Sequence, residues 1–95
     1  MESLDVIEDL IGFETVSRDS NLPLIDFVQN FLYDHGVDSR RVPSADGRKS
    51  NLVATVGPEV SGGIVLSGHT DVVPVDGQDW SHDPFAFHRR GERWY

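Results

Sequence analysis

The sequence predicts an α/β chain in which two N-terminal helices lead into a mixed sheet, with an α+β arrangement as the alternative. Three observations carry this expectation. Apolar residues recur at helical spacing over the first third of the chain. After Val37 the period changes to the alternation of strands. Clusters of Gly, Pro, Ser and Asp then separate several short β-prone runs. Helices followed by strands form the beginning of a layered α/β or α+β unit.

Each element has its own local signal. Leu4, Ile7, Leu10 and Ile11 make one apolar stripe, with Ser3 as N-cap and Gly12 as stop. The second helix has Ser20 or Asn21 as its cap, Pro23 in its first turn, and Leu24, Ile25, Val28, Phe31 and Leu32 as its stripe. Gly36 supplies the left-handed residue that ends it. Both stripes read as core faces. A strand over 37–42, a turn over Ser44–Arg48 centred on Asp46-Gly47, and a strand over 51–56 form a hairpin. Gly57-Pro58 and Ser61-Gly62-Gly63 break the chain before a third strand, Ile64–Ser67, which is apolar enough to be buried. A last strand is expected at 85–87, with Arg90-Gly91-Glu92 turning into Arg93-Trp94-Tyr95.

Composition bounds the function classes. Ninety-five residues permit one small domain, and the chain has no cysteine, which excludes disulfides and thiolate metal sites. The opening is acidic where a secretory signal would be basic, and no apolar run has the length of a membrane span, so a cytoplasmic protein without a membrane partner is the expectation. The net charge of −8 lies wholly in residues 1–38, where nine acids face Arg18 alone. That half repels phosphate backbones, so nucleic acid is not an expected partner. Arg40, Arg41, Arg48 and Lys49 read as a solvated hairpin face.

The chemistry concentrates in Ser67-Gly68-His69-Thr70-Asp71-Val72-Val73-Pro74. Residues two apart on an extended segment point to one face, so His69 and Asp71 can address one site at the end of the Ile64–Ser67 run. An imidazole is the commonest metal ligand, and a carboxylate beside it can orient the ring or bind the same ion. The other histidines read differently: His35 as a helix C-terminal cap, His82 and His88 as loop residues without ligand spacing. Asp76, Asp79 and Asp83 read as turn formers, Trp80 and Phe85 as loop packing, and Arg18 as a partner for a surface carboxylate.

Read together, three blocks carry a resemblance. The stretch Gly68-His69-Thr70-Asp71-Val72-Val73-Pro74 resembles the first metal-ligand motif of the M20 metallopeptidase and deacylase family. Trp80-Ser81-His82-Asp83-Pro84-Phe85 follows at the family's distance. The segment Thr15–Leu22 looks like the N-terminal signature of the acetylornithine deacetylase branch, and the blocks keep the family's order. The resemblance implies the first part of a zinc-exopeptidase-like catalytic domain, with residues 1–95 an incomplete piece and the lid or dimerisation domain absent. The terminal Trp94-Tyr95 pair, apolar and directly after a turn, fits that expectation.

The implied activity is hydrolysis of the acetyl amide of N-acetyl-L-ornithine by two zinc ions, with cobalt or manganese as alternatives. Succinyl-diaminopimelate desuccinylase is the alternative within the family, and a non-catalytic remnant or interaction module the alternative outside it. By resemblance His69 is a metal ligand and Asp71 the catalytic-site aspartate that orients it. The bridging aspartate, the general base and the remaining ligands are expected beyond Tyr95, so the chain alone is expected to be inactive. Its partners are expected to be a small N-acyl amino acid and, in the full-length enzyme, a second copy of itself. The residues that bind substrate are not identified by the sequence.

Overall fold

The structure, a computed structural model, describes residues 2–95. Two helices come first, α1 over Ser3–Gly12 and α2 over Leu22–Asp34. Two antiparallel hairpins follow, β1 Ser39–Pro43 with β2 Ser50–Ala54, and β3 Arg89–Arg90 with β4 Arg93–Trp94. One isolated parallel bridge joins Val16 to Val72. The chain is thus an α+β mixture of two helices and two small sheets.

α1 starts one residue earlier than its hydroxyl suggested. Glu2 occupies the capping position rather than Ser3, and its backbone N–H donates to the Asp5 carboxylate at 2.9 Å. A carboxylate at that point also meets the positive end of the helix dipole. Leu4 and Ile7 of its apolar stripe are 46% and 41% exposed, so this face is only half covered. Phe13, directly after the helix, meets Phe27 of α2 with ring centroids 5.6 Å apart.

α2 ends as its sequence dictates. The Val37 N–H donates to Leu32 O at 2.9 Å and the Gly36 N–H to Tyr33 O at 2.9 Å, with Gly36 at φ 77°. This paired arrangement satisfies carbonyls that the helix itself leaves open, and only glycine adopts the left-handed turn without steric cost. His35 caps the same end, its Nδ1 2.8 Å from Phe31 O.

At the start of α2 the structure departs from simple capping. Asn21 stands at the N-cap position but makes no side-chain bond to its own helix. The Ser20 hydroxyl instead accepts the Leu22 N–H at 3.1 Å. The Asn21 amide turns to the hairpin: its Oδ1 accepts the Ser50 N–H at 3.0 Å, and its Nδ2 donates to Ser50 O at 2.9 Å. A side-chain amide has one donor and one acceptor arm, so it completes the backbone of Ser50 as a neighbouring strand would. Ser50 is 4% exposed and has no water to turn to.

The hairpin turn is the one its sequence encodes, with Gly47 at φ 71°. Asp46 accepts from the Ser44 hydroxyl at 2.8 Å and from the Arg48 N–H at 3.1 Å. These two bonds, the Arg48 amide above all, hold its carboxyl below the ordinary aspartate value. Arg40 and Arg48 of this hairpin are exposed, as their charge suggested, but three of the four bases also make contacts outside it. The Arg41 guanidinium pairs with Asp26 and also donates to Gln29 on α2. Lys49 donates to Ser17 O, and Arg48 to Arg18 O at 3.4 Å. These bases bind the hairpin to α2 and to the segment before it.

Two expected strands are not formed. Ile64, Val65 and Leu66 lie outside any ladder and are 90%, 91% and 92% exposed. A strand exists only where a neighbour takes its backbone hydrogen bonds, and none of the described residues provides one here. The last hairpin forms at 89–94 instead of including 85–87. Asp83 directs that outcome, accepting the Phe85 N–H on its side chain at 2.9 Å and the Ala86 N–H on its carbonyl at 3.1 Å. That turn removes two N–H groups from any ladder.

The buried apolar residues are Val16, Leu24 and Ile25, joined by buried Thr15 and Ser50. This core therefore includes the Thr15–Val16 segment and the start of α2. The segment carrying His69 and Asp71 docks at the same place.

Candidate functional site

His69 and Asp71 are in direct contact. The imidazole Nδ1 lies 2.9 Å from Asp71 Oδ1 and 3.0 Å from the Asp71 backbone oxygen. Both are acceptors, so Nδ1 carries a proton, and in the neutral ring Nε2 then bears the lone pair. The His69 side chain is 83% exposed, which leaves Nε2 free to meet a ligand.

Asp71 is held from its other side. Its Oδ2 accepts the Ser17 hydroxyl at 2.7 Å. The Ser17 bond first, and the His69 bond second, lower the Asp71 carboxyl below its ordinary value. The carboxylate is thus ionised and engaged on both oxygens, an orienting arrangement for the ring.

Ser17 reaches Asp71 because the backbone carries it there. The Val72 N–H donates to Thr15 O at 3.0 Å, and the Ser17 N–H donates to Val72 O at 3.0 Å. The Thr15 hydroxyl donates to Thr70 O at 2.6 Å, and Asn21 Nδ2 lies 3.3 Å from the Thr70 hydroxyl. Further along, Arg18 pairs with Asp76 at 2.7 Å. Both partners of that ion pair are more than half exposed, so its contribution is small. The block 15–21 and the run 70–76, at least 49 residues apart in sequence, form one braced unit.

That unit contains residues the sequence alone did not mark as site residues: Thr15, Ser17, Asn21 and Thr70. Their one signal was membership of a motif block. No local periodicity reports a hydrogen bond that spans 54 residues.

The constellation stops at one imidazole arm. Among the described residues no group of three His, Asp or Glu side chains is arranged to hold a metal ion. A catalytic zinc takes about three protein ligands. His69 and Asp71 fit one ligand with its orienting carboxylate and do not by themselves complete a site. Two open surface depressions, one at the α2–β1 junction and one along β1–β2, are lined without His69 or Asp71.

His82 and His88 form a separate pair, with ring centroids 3.8 Å apart and the Tyr95 ring stacked on His88 at 5.4 Å. Partial burial, then the neighbouring charges of His88 and Arg90, depress the His82 pKa below 6.5. A histidine depressed in the folded state supports folding above its unfolded value and loses that support as pH falls through the lower, folded one. The packing of His82 on His88 is therefore expected to loosen below pH 6.5. Imidazole proton shifts and nuclear Overhauser contacts between His82, His88 and Tyr95, followed across that range, check this. Unchanged contacts after His82 has protonated would contradict it.

Sequence comparison bears on this geometry. The chain is 40% identical over 77 residues to acetylornithine deacetylase of Pasteurella multocida, covering 80% of this chain. It is 40% identical over 100 residues to that of Photorhabdus laumondii, and 33% identical over 100 residues to that of Buchnera aphidicola, each match covering 97% of this chain. The chain is a homologue of the acetylornithine deacetylases. It spans 20% of the length of the Pasteurella relative and 26% of the other two. The 97% matches include both halves of the braced unit, so the likeness to acetylornithine deacetylases extends to both. No family model and no solved structure matches the chain. Among the described residues no helix is long and apolar enough to cross a membrane.

Proposed function

We propose that this chain is part of a cytoplasmic, metal-dependent amide hydrolase of the M20 family that releases acetate from N-acetyl-L-ornithine, a step of arginine biosynthesis. The observation that carries the proposal is the His69–Asp71 contact, with Nδ1 engaged and Nε2 free. In this reading His69 Nε2 is one ligand to zinc, and Asp71 sets the tautomer and direction of the ring. Zinc, when bound, supplies Lewis-acid polarisation of the scissile carbonyl and activation of water near neutral pH. The remaining ligands, the general base and the acyl pocket belong to residues other than those described. The complete protein works as a homodimer on a small N-acyl amino acid.

The test uses protein expressed from the complete reading frame and loaded with zinc, assayed on N-acetylornithine and on N-succinyl-diaminopimelate side by side. Preferential deacetylation supports the proposal; preferential desuccinylation replaces it with the related activity. The purified 95-residue chain is expected to hydrolyse neither. Turnover by that chain alone, abolished by His69→Ala, would show that the described residues hold a complete site after all.

A further inference from the structure

Asp71 sits in a stretch without helix or ladder, and its side chain is 53% exposed. A carboxylate in such a place rotates freely unless something outside its own segment fixes it. One neighbour does. The Ser17 hydroxyl reaches Oδ2 at 2.7 Å while His69 holds Oδ1 at 2.9 Å, so the carboxylate is clamped between a hydroxyl and an imidazole. The same hydroxyl lies 3.1 Å from Val72 O, its second and longer acceptor.

The hydroxyl itself is well placed. Ser17 donates its backbone N–H to Val72 O and receives Lys49 on its carbonyl, and its neighbour Val16 is 4% exposed. The position of Ser17 is therefore decided by backbone pairing beside the buried Val16 rather than by its own side chain. The other hydroxyls nearby are otherwise engaged: Thr15 donates to Thr70 O, and Thr70 lies against Asn21.

We propose that Ser17 is a positioning residue, whose hydroxyl fixes the Asp71 carboxylate so that it holds His69 in the Nδ1–H tautomer with Nε2 directed outward. The proposal rests on the His69–Asp71 pair acting as a metal-ligating arm. Without Ser17 the carboxylate keeps one bond instead of two and its rotation is released. The Nδ1–H form then loses part of a charge-assisted hydrogen bond.

The experiment is nitrogen NMR of the imidazoles in the 95-residue chain, at a pH well above the ordinary imidazole range, without metal. The chain has four histidines, and His69→Gln identifies the His69 signals by their loss. Ser17→Thr and Ser17→Val are compared because they have nearly equal volume and differ in the hydroxyl. The expected result is a predominant Nδ1–H tautomer in the parent and in Ser17→Thr. In Ser17→Val the ratio of Nδ1–H to Nε2–H at His69 falls by about threefold or more, with His35, His82 and His88 unchanged.

Ser17→Val with the parent tautomer ratio and intact Val16 and Val72 amide signals would overturn the positioning role. Loss of folded signals in both variants alike would overturn it as well, because the site would then need serine for its size. A parent chain already in the Nε2–H form would instead sink the metal-arm reading on which the proposal rests. The two failures are distinguishable.

Discussion

In protein expressed from the complete reading frame, His69→Ala is expected to abolish amide hydrolysis and to lower bound zinc. The physical reason is the geometry of a single arm. In the neutral ring Nε2 is the free, lone-pair-bearing nitrogen, and an alanine offers no donor in its place. Asp71→Asn tests the orienting partner separately. Its amide keeps an oxygen that can accept from His69 Nδ1, but it introduces N–H donors beside a ring nitrogen and a hydroxyl that both donate to Asp71. Loss of an orienting carboxylate behind a metal-ligating histidine costs about 10–100-fold in metal affinity or activity. Asp71→Asn should fall in that range and His69→Ala beyond it. Zinc stoichiometry after dialysis and kcat/KM on N-acetylornithine measure both. Full zinc and near-normal turnover in His69→Ala would remove His69 from the metal site.

The second large effect is on stability. Asn21→Ala is expected to destabilise the chain by about 2–4 kcal/mol, because it strands the N–H and the C=O of Ser50 in a buried position. Unfolding free energies of small domains are only about 5–15 kcal/mol. The buried apolar residues among those described are three, so little reserve offsets the loss. Asn21→Asp should rescue poorly. It retains an acceptor for the Ser50 N–H but sets a second acceptor against Ser50 O, where the amide now donates at 2.9 Å. Urea midpoints of the three chains, together with hydrogen exchange at the Ser50 amide, provide the measurement. A midpoint unchanged in Asn21→Ala would mean that Asn21 is not what joins α2 to β2.

Asn21 also shows how one residue serves both fold and site. Its amide completes Ser50 and reaches the Thr70 hydroxyl, and Thr70 stands between His69 and Asp71. A change at Asn21 should therefore disturb the His69–Asp71 segment as well as the hairpin. The Ser17 hydroxyl acts on the same segment through the Asp71 carboxylate and, at longer distance, Val72 O, while the backbone pairing of Ser17 does not depend on the side chain. Its substitution is expected to leave the urea midpoint closer to the parent than Asn21→Ala does.

What was legible in the sequence was local. The spacing of Leu24, Ile25, Val28, Phe31 and Leu32 announced α2, because a helix face repeats within a few residues. Gly36 and Asp46-Gly47 announced a helix end and a turn, because left-handed backbone and Asx bonding are decided by one or two residues. The approach of Asp71 to His69 belongs with these, since two residues of separation already allow it.

Contacts across long separations were decided only in the tertiary structure. Pairing of Thr15–Ser17 with 70–72 depends on two segments meeting, and neither carries a periodic pattern that names the other. Asn21 read as a helix cap because short polar side chains favour that position; a buried Ser50 lacking a neighbour made a better partner. Ile64–Leu66 shows the opposite limit. The sequence determined that this run is apolar and suited to burial, but burial needs a covering surface, and a ladder needs a second strand. Composition and period set what each segment can become; the hydrogen-bonding partners that reach it determine what it is.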